Sequence, residues 1–158
     1  MIIRAIRKED DTHIATIIRR TLEEFHCNKQ GTVYYDKNIR HISEFMNPPG
    51  SIYYVVEEDG QVVGGGGVYP TEGLPDDTVE LVKLYLLPHT RGKGYGEQLI
   101  RECIKFAKQA GYSKVYLESM DELNGAVSLY KKLGFDYLTS PLGKSGHVYC
   151  KIWMSKDI

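Results

Sequence analysis

Glycine occupies every second position of one short segment, which reads Arg91-Gly92-Lys93-Gly94-Tyr95-Gly96. An apolar run precedes this segment and an amphipathic, helix-like pattern follows it, so we expect a loop between a buried strand and a helix. Glycine permits the positive φ angles that let successive backbone N–H groups converge on an anion. The N-terminus of the following helix attracts negative charge to the same place. The segment therefore predicts an anion-binding loop, to which Arg91 and Lys93 add full charges.

The spacing of the glycines distinguishes between the known phosphate-binding loops. A P-loop needs Gly-Lys-Ser/Thr at its end, but Gly94 is followed by Tyr95 and Gly96. A dinucleotide fingerprint needs Gly-x-Gly-x-x-Gly, and this is also absent. The pattern Arg-x-x-Gly-x-Gly instead resembles the pyrophosphate-binding signature of the GNAT superfamily, the acyl-CoA-dependent N-acyltransferases. The alternative is a glycine-rich turn that only joins the strand to the helix.

Composition and charge bound the remaining possibilities. The 158 residues suffice for one domain with a substantial core. With 20 basic and 21 acidic residues the formal net charge is -1, so no overall field recruits nucleic acid or an anionic membrane. The start of the chain lacks a signal-peptide core, and no apolar run approaches the ~20 residues that span a bilayer. We expect a cytoplasmic protein with neither nucleic-acid nor membrane partners.

Hydrophobic periodicity predicts a mixed α and β order without an internal repeat. The predicted helices cover residues 12–25, 36–47, 94–110 and 123–133. The predicted strands cover residues 2–7, 52–58, 61–69, 79–87, 115–119 and 147–154. Asp59-Gly60 predicts the tight turn of a hairpin. The glycine run at residues 64–67 indicates either a close approach by a ligand or a bend over an underlying helix.

A second motif supports the first resemblance. The segment 126–135, which contains Tyr130 and ends in Gly134-Phe135, resembles the helix and turn that follow the fifth strand in GNAT enzymes. Membership in this family implies a single α/β domain over residues 1–158. Its fold is a central, mixed, twisted sheet of about six to seven strands with about four flanking helices. Two parallel strands in the middle of that sheet splay apart.

The resemblance also implies roles for particular residues. Acetyl-CoA, the co-substrate, is expected to lie between the strands at 79–87 and 115–119, and no metal is expected. Tyr130 is expected to donate a proton to the departing thiolate, as a phenol with an ordinary pKa near 10 can do. The residues expected to bind the cofactor through the main chain fall into two groups, Leu84, Tyr85 and Leu86 for the pantetheine arm and Arg91, Gly92, Lys93, Gly94, Tyr95 and Gly96 for the pyrophosphate.

The attacking amine must lose a proton before it reacts, so the reaction needs a base. Glu80 stands where several relatives carry a catalytic glutamate, and burial would raise its pKa toward the useful range. The alternative for Glu80 is a salt bridge at the end of a strand. Glu118, His147 or a chain of water molecules are the other candidates. A loop histidine without a catalytic role is the alternative for His147.

The chain has three cysteines, Cys27, Cys103 and Cys150. Their odd count and the absence of metal-type spacing argue against a disulfide framework and a zinc site. Cys103 falls on the buried face of a predicted helix. Cys150 lies three residues after His147, and on a strand these two side chains would face opposite sides. We therefore expect direct transfer in a ternary complex rather than an acyl-enzyme.

The acceptor is expected to bind among residues 25–36, residues 69–77 and the loop around residues 140–147. There Tyr34, Tyr35 and Tyr69 could line the pocket together with Glu118 and His147. These loops contain no acidic run suited to a polyamine, so we expect a small amine or an amino-acid-like acceptor. The alternatives are a non-catalytic domain that binds or senses acyl-CoA and an interaction module that only keeps the fold. The resemblance also allows a homodimer formed through the C-terminal strands.

Overall fold

The strands pair into one seven-stranded sheet in a computed structural model that describes residues 1–158. The strands are β1 (Ile2–Ala5), β2 (Ile52–Glu58), β3 (Gln61–Tyr69), β4 (Thr78–Leu86), β5 (Lys114–Ser119), β6 (Asp136–Leu138) and β7 (Ile152–Asp157). The α-helices are α1 (Asp11–Glu24), α2 (Ile42–Phe45), α3 (Tyr95–Gln109) and α4 (Asn124–Lys132). None of these helices combines the length and the apolar character needed to cross a bilayer.

The order of the strands across the sheet is β1-β2-β3-β4-β5-β7-β6, and only the central β4–β5 pair is parallel. That pairing runs from Thr78 opposite Lys114 to Leu81 opposite Leu117 and then stops. Both strands continue beyond it, so they diverge toward their carboxyl ends. The expected fold, a mixed sheet with splayed parallel strands and four helices, is confirmed.

Each face of the sheet buries its own helices. Side chains alternate along a strand, so Tyr53 and Val55 of β2 pack with the buried stripe of α1 in one cluster. On the opposite face, Leu81 of β4 and Leu117 of β5 pack with the buried stripe of α3. Both α1 and α3 therefore bury the apolar stripe that their sequences predict.

Other atoms of the chain fill the space beside the glycines of β3, where side chains would otherwise lie. A Cβ added at Gly67 would lie 2.2 Å from the Ile52 carbonyl oxygen, and one at Gly65 would lie 2.6 Å from the Tyr53 ring. On the other side, a Cβ at Gly66 would lie 2.6 Å from Leu84. The close approach that the glycines permit is thus made by neighbouring strands of the chain itself, not by a ligand.

Three segments differ from the sequence prediction. Residues 36–47 form successive turns and only one short helix, α2. The sequence resembles a longer helix because turns that repeat every three residues bury the same apolar positions, such as Ile39 and Ile42. The last strand begins at Ile152 rather than at residue 147, and the preceding loop contains Gly143 and Gly146 with positive φ angles of 68° and 79°. Strand β6 was not predicted, since three residues are too few to show a period.

Candidate active site

A β-bulge in β4 creates the opening in the sheet. Gly67 pairs with Val82 and Gly65 pairs with Tyr85, so β4 holds one more residue than β3 across this stretch. Lys83 lies within it and has a left-handed φ of 53°. The hydroxyl of Tyr53 donates a hydrogen bond of 2.8 Å to the Lys83 carbonyl oxygen, which fixes the distorted backbone. Pairing with β5 ends at Leu81, directly before the bulge, and a gap opens between the two strands.

The glycine-alternating loop forms one wall of a groove of about 530 Å³. Gly92 and Gly94 adopt φ angles of 76° and 81°, which glycine tolerates best. Six successive backbone N–H groups, from Gly92 to Glu97, have no hydrogen-bond partner within the chain. The last three of these N–H groups belong to the first turn of α3, so the helix dipole adds to their attraction for an anion. This arrangement is a nest suited to phosphate.

The charged side chains of the loop have different environments. Arg91 lines the groove, where its guanidinium pairs with Glu24 at 2.7 and 3.0 Å. Its Nε donates to the Leu86 carbonyl oxygen at 3.0 Å. Lys93 instead pairs with Glu58 at 3.1 Å, and the Tyr95 hydroxyl donates to the same carboxylate. The side chain of Lys93 therefore does not add its charge to the groove as the sequence suggested.

Tyr130 projects from α4 into the gap between β4 and β5. The gap is a narrow cavity of about 60 Å³ that shares Leu84 and Tyr85 with the phosphate-loop groove. The Tyr130 ring is buried edge-on against Phe135, with 5.9 Å between centroids. Burial raises the pKa of its hydroxyl, and no group within the chain hydrogen-bonds that hydroxyl. Tyr130 is thus a protonated donor without a partner.

Glu80 lies at the other end of the gap. It lines both the gap and a third cavity of about 270 Å³, and Val82, Lys83 and His147 also line both. Burial raises the pKa of Glu80 to about 7, while a hydrogen bond from the Thr71 hydroxyl opposes that shift. A carboxyl group with this pKa is half ionised near neutral pH. It can accept a proton from an amine and later release it to water.

The third cavity, which we call the acceptor cavity, contains a second polar group of residues. The carboxylate of Asp36 accepts a hydrogen bond of 2.7 Å from the Lys83 ammonium. Its other oxygen lies 2.8 Å from Nε2 of His147. Burial raises the pKa of Asp36, but its bond to His147 and the charge of Lys83 outweigh that effect and lower the pKa overall. Asp36 therefore carries a negative charge shared between two partners.

Glu118 faces the gap rather than solvent, and it holds the loop before β7 in place. Its carboxylate accepts hydrogen bonds from the hydroxyls of Tyr116, at 2.6 Å, and of Ser145. The Ser145 oxygen in turn accepts from the backbone N–H of His147 at 3.1 Å. Because its oxygens are used in this way, Glu118 is a less available base than Glu80.

The predicted tyrosines are only partly brought together. Tyr69 lines the acceptor cavity and stacks on Phe45, with 4.4 Å between ring centroids. Tyr34 bonds to Glu23 at 2.6 Å, and Tyr35 is 52% exposed. Neither of these two residues lines any of the three cavities, because the short 3₁₀ turn Val33–Tyr35 directs Val33 inward instead.

Asp36 and Thr71 line the acceptor cavity and fall within the segments expected to bind the acceptor, although neither residue is singled out by the sequence. Phe45 and Lys83 also line the cavity and lie outside those segments. For Lys83 a signal exists, since a lysine within the otherwise apolar end of β4 is unusual in a buried strand. Phe45 lies in the short helix α2, and nothing in its local pattern indicates proximity to Glu80.

Cys150 also lines the gap, together with Tyr130 and Glu80. The expectation that Cys150 and His147 face opposite sides of a strand is wrong, because both lie in a turn closed by a 3.0 Å bond between their backbones. Burial raises the pKa of the Cys150 thiol to about 12, so little nucleophilic thiolate exists near neutral pH. Burial also raises the pKa values of Cys27 and Cys103.

Comparisons with known proteins agree with this geometry. The sequence model described as Acetyltransferase (GNAT) family matches residues 14–135. The uncharacterized N-acetyltransferase YjgM of Escherichia coli is 35% identical over 99% of this chain and 95% of its own length. A GNAT-family acetyltransferase from Staphylococcus aureus superposes with a TM-score of 0.87 at 16% identity, covering 99% of this chain and 98% of that one.

Another solved structure with the same fold is yncA from Salmonella typhimurium, determined with its cofactor acetyl-CoA. It superposes with a TM-score of 0.77 at 21% identity and covers 99% of this chain and 93% of its own. The match of the family model to most of the chain and the full-length similarity to YjgM decide the family. This chain belongs to the acetyltransferase (GNAT) family and is an acyltransferase.

Proposed function

We propose that this protein transfers an acetyl group from acetyl-CoA to the primary amine of a small or amino-acid-like acceptor, directly and within a ternary complex. One observation carries the proposal. Tyr130 and Glu80 line a single narrow gap that shares lining residues with the phosphate-loop groove and with the acceptor cavity. A proton donor and a proton acceptor thus stand between the two places where the substrates would bind.

The residues of the groove fit acetyl-CoA. The six unpartnered N–H groups from Gly92 to Glu97 would hold the pyrophosphate, with Arg91 beside them. The edge of β4 at Leu84, Tyr85 and Leu86 runs beyond its pairing with β5 and would bond the pantetheine arm as an added strand. The acetyl-CoA bound to yncA, which shares the fold, supports this choice of cofactor. When bound, acetyl-CoA supplies an activated acetyl thioester.

Glu80 and Tyr130 then have complementary tasks. Glu80 takes a proton from the ammonium form of the acceptor, and the free amine forms a C–N bond with the thioester carbon. The C–S bond breaks, and Tyr130 gives its proton to the departing thiolate sulfur. The acylated nitrogen then loses its second proton, which passes through water to the Tyr130 phenolate, and Glu80 releases its own proton to solvent. The products are an N-acetyl amide, CoA thiol and one proton. The raised pKa of Tyr130 keeps this hydroxyl protonated across the neutral range.

Binding and turnover together test the proposal. Acetyl-CoA at ~100 times its dissociation constant should stabilise the fold by about 2.7 kcal/mol, which raises the melting temperature by several degrees. ATP and NAD serve as competing anions that lack the pantetheine arm, and we expect smaller shifts from them. A panel of primary amines should then release CoA thiol.

Two results would contradict the proposal. A folded sample that acetyl-CoA does not stabilise means that the loop at residues 91–96 is only a turn. Stabilisation by acetyl-CoA without thiol release, for any amine of a broad panel, means that the protein binds or senses acyl-CoA and does not catalyse transfer.

A further inference from the structure

Lys83 has an unusual position for a lysine. It is the residue at the bulge of β4, its side chain is 4% exposed, and it lines both the gap and the acceptor cavity. Lysine is rarely buried in a sheet unless it is paired or functional, because removing an ammonium group from water is unfavourable. The left-handed φ of 53° at this position keeps the side chain of Lys83 with Glu80 and Val82 around the same cavities.

The ammonium of Lys83 is only partly satisfied. It can donate three hydrogen bonds, and the chain accepts one of them, at Asp36. The ring of Phe45 also lies near the ammonium, with its centroid 5.7 Å from Nζ. Asp36 also bonds His147, so its charge is divided between two groups. Two N–H donors of a buried cation therefore remain for a ligand in the acceptor cavity.

The other charged groups around this cavity do not offer an equal site for a cation. Asp36 is engaged by Lys83 and His147, and Glu80 is needed as the base. Glu72 lies at the exposed rim, where Lys37 and Lys144 are also exposed and outnumber it. The cavity thus has a buried donor for an anion but no free buried carboxylate for a second ammonium.

The distance along β4 limits the size of the ligand. Glu80 and Lys83 are three residues apart, and a strand rises about 3.3 Å per residue, so their Cα atoms are at most ~10 Å apart. Both side chains line the same cavity, so one small ligand can present an amine to Glu80 and an anion to Lys83. An amino acid whose amine and carboxylate are separated by one or two carbons is a ligand of this kind.

We propose that Lys83 binds the carboxylate of the acceptor and thereby selects an amino acid over the corresponding simple amine. This assignment rests on the proposed transferase function and adds the substrate class and a specificity residue to it. Asp36 orients the ammonium of Lys83 through their hydrogen bond. Glu80 then receives a proton from the amine of the bound amino acid.

Matched pairs of substrates test this assignment. Each α-amino acid of a panel is compared with its carboxamide and with the amine left by decarboxylation, using CoA thiol release to obtain kcat/KM. For at least one amino acid the wild-type protein should prefer the acid by about tenfold or more over both analogues, as expected for a charge-assisted hydrogen bond.

The variant Lys83→Gln should abolish that preference. We expect kcat/KM for the preferred amino acid to fall by about 10- to 100-fold, mainly through KM, while the rate with the decarboxylated amine falls much less. Lys83→Arg, which retains the charge, should restore part of the preference. Lys151→Gln, which removes the charge of an exposed lysine that lines none of the three cavities, is the matched control and should leave the preference intact. An unchanged shift of the melting temperature with acetyl-CoA establishes that each variant is folded.

Several outcomes would overturn the assignment. One is a wild-type preference for the decarboxylated amines, and another is an equal loss on acid and amine in Lys83→Gln. Amino-acid binding is also measured by calorimetry in the presence of CoA, which needs no turnover. If no amine releases thiol but amino acids bind and Lys83→Gln weakens them, the proposed transfer fails while the role of Lys83 stands. If amino acids do not bind to the wild-type protein either, the proposed role of Lys83 fails as well.

Discussion

Glu80 of strand β4 and Tyr130 of helix α4 line the same gap, although they are 50 positions apart in the chain. The gap exists because the pairing of β4 with β5 ends at Leu81, one residue after Glu80. Glu80 also lines the acceptor cavity and Tyr130 does not, whereas Ala126 and Leu129 of α4 line the phosphate-loop groove. The distortion of the sheet thus separates a proton acceptor from a proton donor across one narrow passage.

The first prediction concerns Glu80 as the base. Replacing Glu80 with Gln should lower kcat by about 10²- to 10⁴-fold, the usual contribution of a general base. In the wild type, kcat should rise with pH through about 7 and then level off, because Glu80 accepts a proton only when ionised. The pH profile of the variant should lack this step. Glu118→Gln is the comparison, and a greater loss in that variant would transfer the role to Glu118.

The same group should make stability depend on pH. The pKa of Glu80 is raised from 4.5 to about 7, so the folded state holds the proton more tightly than the unfolded state. The stability that the protonated group contributes is complete below pH 4.5 and is lost as the pH rises through about 7. Above about pH 8, Glu80→Gln should therefore be more stable than the wild type by about 3 kcal/mol. Urea unfolding at acidic and alkaline pH measures the difference, which should nearly vanish in acid.

Tyr130→Phe tests the proton donor. Because the hydroxyl has no partner within the chain, its removal should leave the free energy of unfolding almost unchanged, while kcat falls by about tenfold or more. The affinity for acetyl-CoA, measured by calorimetry, should remain near the wild-type value. Tyr137, which is 54% exposed on β6, provides a control in Tyr137→Phe. Full turnover in Tyr130→Phe would remove this residue from the mechanism.

The ion pair between Arg91 and Glu24 predicts an effect on cofactor binding. The Glu24 carboxylate accepts both hydrogen bonds from the Arg91 guanidinium that lines the groove. The negative charge of Glu24 also repels phosphate. Glu24→Gln should therefore tighten acetyl-CoA binding by about two- to fivefold, the range of an exposed ion pair. Glu58→Gln makes the same charge change at Lys93, which does not line the groove, and should have a smaller effect. Equal effects of the two variants would mean that only net charge matters.

The glycines of β3 predict a stability difference. Gly67→Ala places a Cβ 2.2 Å from the Ile52 carbonyl oxygen and 2.9 Å from the Tyr53 Cα, and neither backbone atom can move freely. We expect a loss of about 1–3 kcal/mol in the free energy of unfolding, as for other overpacked sites. Gly125→Ala in α4 meets no atom within 4 Å and should instead stabilise the helix by about 0.5–1 kcal/mol. A neutral Gly67→Ala in urea unfolding would contradict this packing.

Some parts of the structure follow from local sequence. The hairpin of β2 and β3 has the bounds that the sequence predicts, because Asp59-Gly60 fixes the turn and the strands extend from it. The anion-binding loop is likewise legible, since alternating glycines and the following amphipathic helix are both local features. The splayed strands needed the family resemblance, because spacing alone does not reveal where a pairing ends.

The acceptor cavity could not be predicted in the same way. Asp36 lies 47 residues from Lys83 and 111 residues from His147, and only the tertiary fold brings these groups together. The bulge at Lys83 depends on how β3 and β4 pair, so the local sequence around Lys83 does not predict the bulge. Residues 36–47 show why periodicity misled, since consecutive turns and a helix bury similar positions.

The most direct test of the transferase account is a mass balance of a single reaction. Wild-type protein, acetyl-CoA and an amine that supports thiol release are mixed, and CoA thiol, N-acetylated amine and the intact mass of the protein are measured together. The account predicts one acetylated amine for each thiol released and no acetyl group on Cys27, Cys103 or Cys150. Thiol release without an acetylated amine, or a hydroxylamine-sensitive acetyl adduct on the protein, would contradict direct transfer.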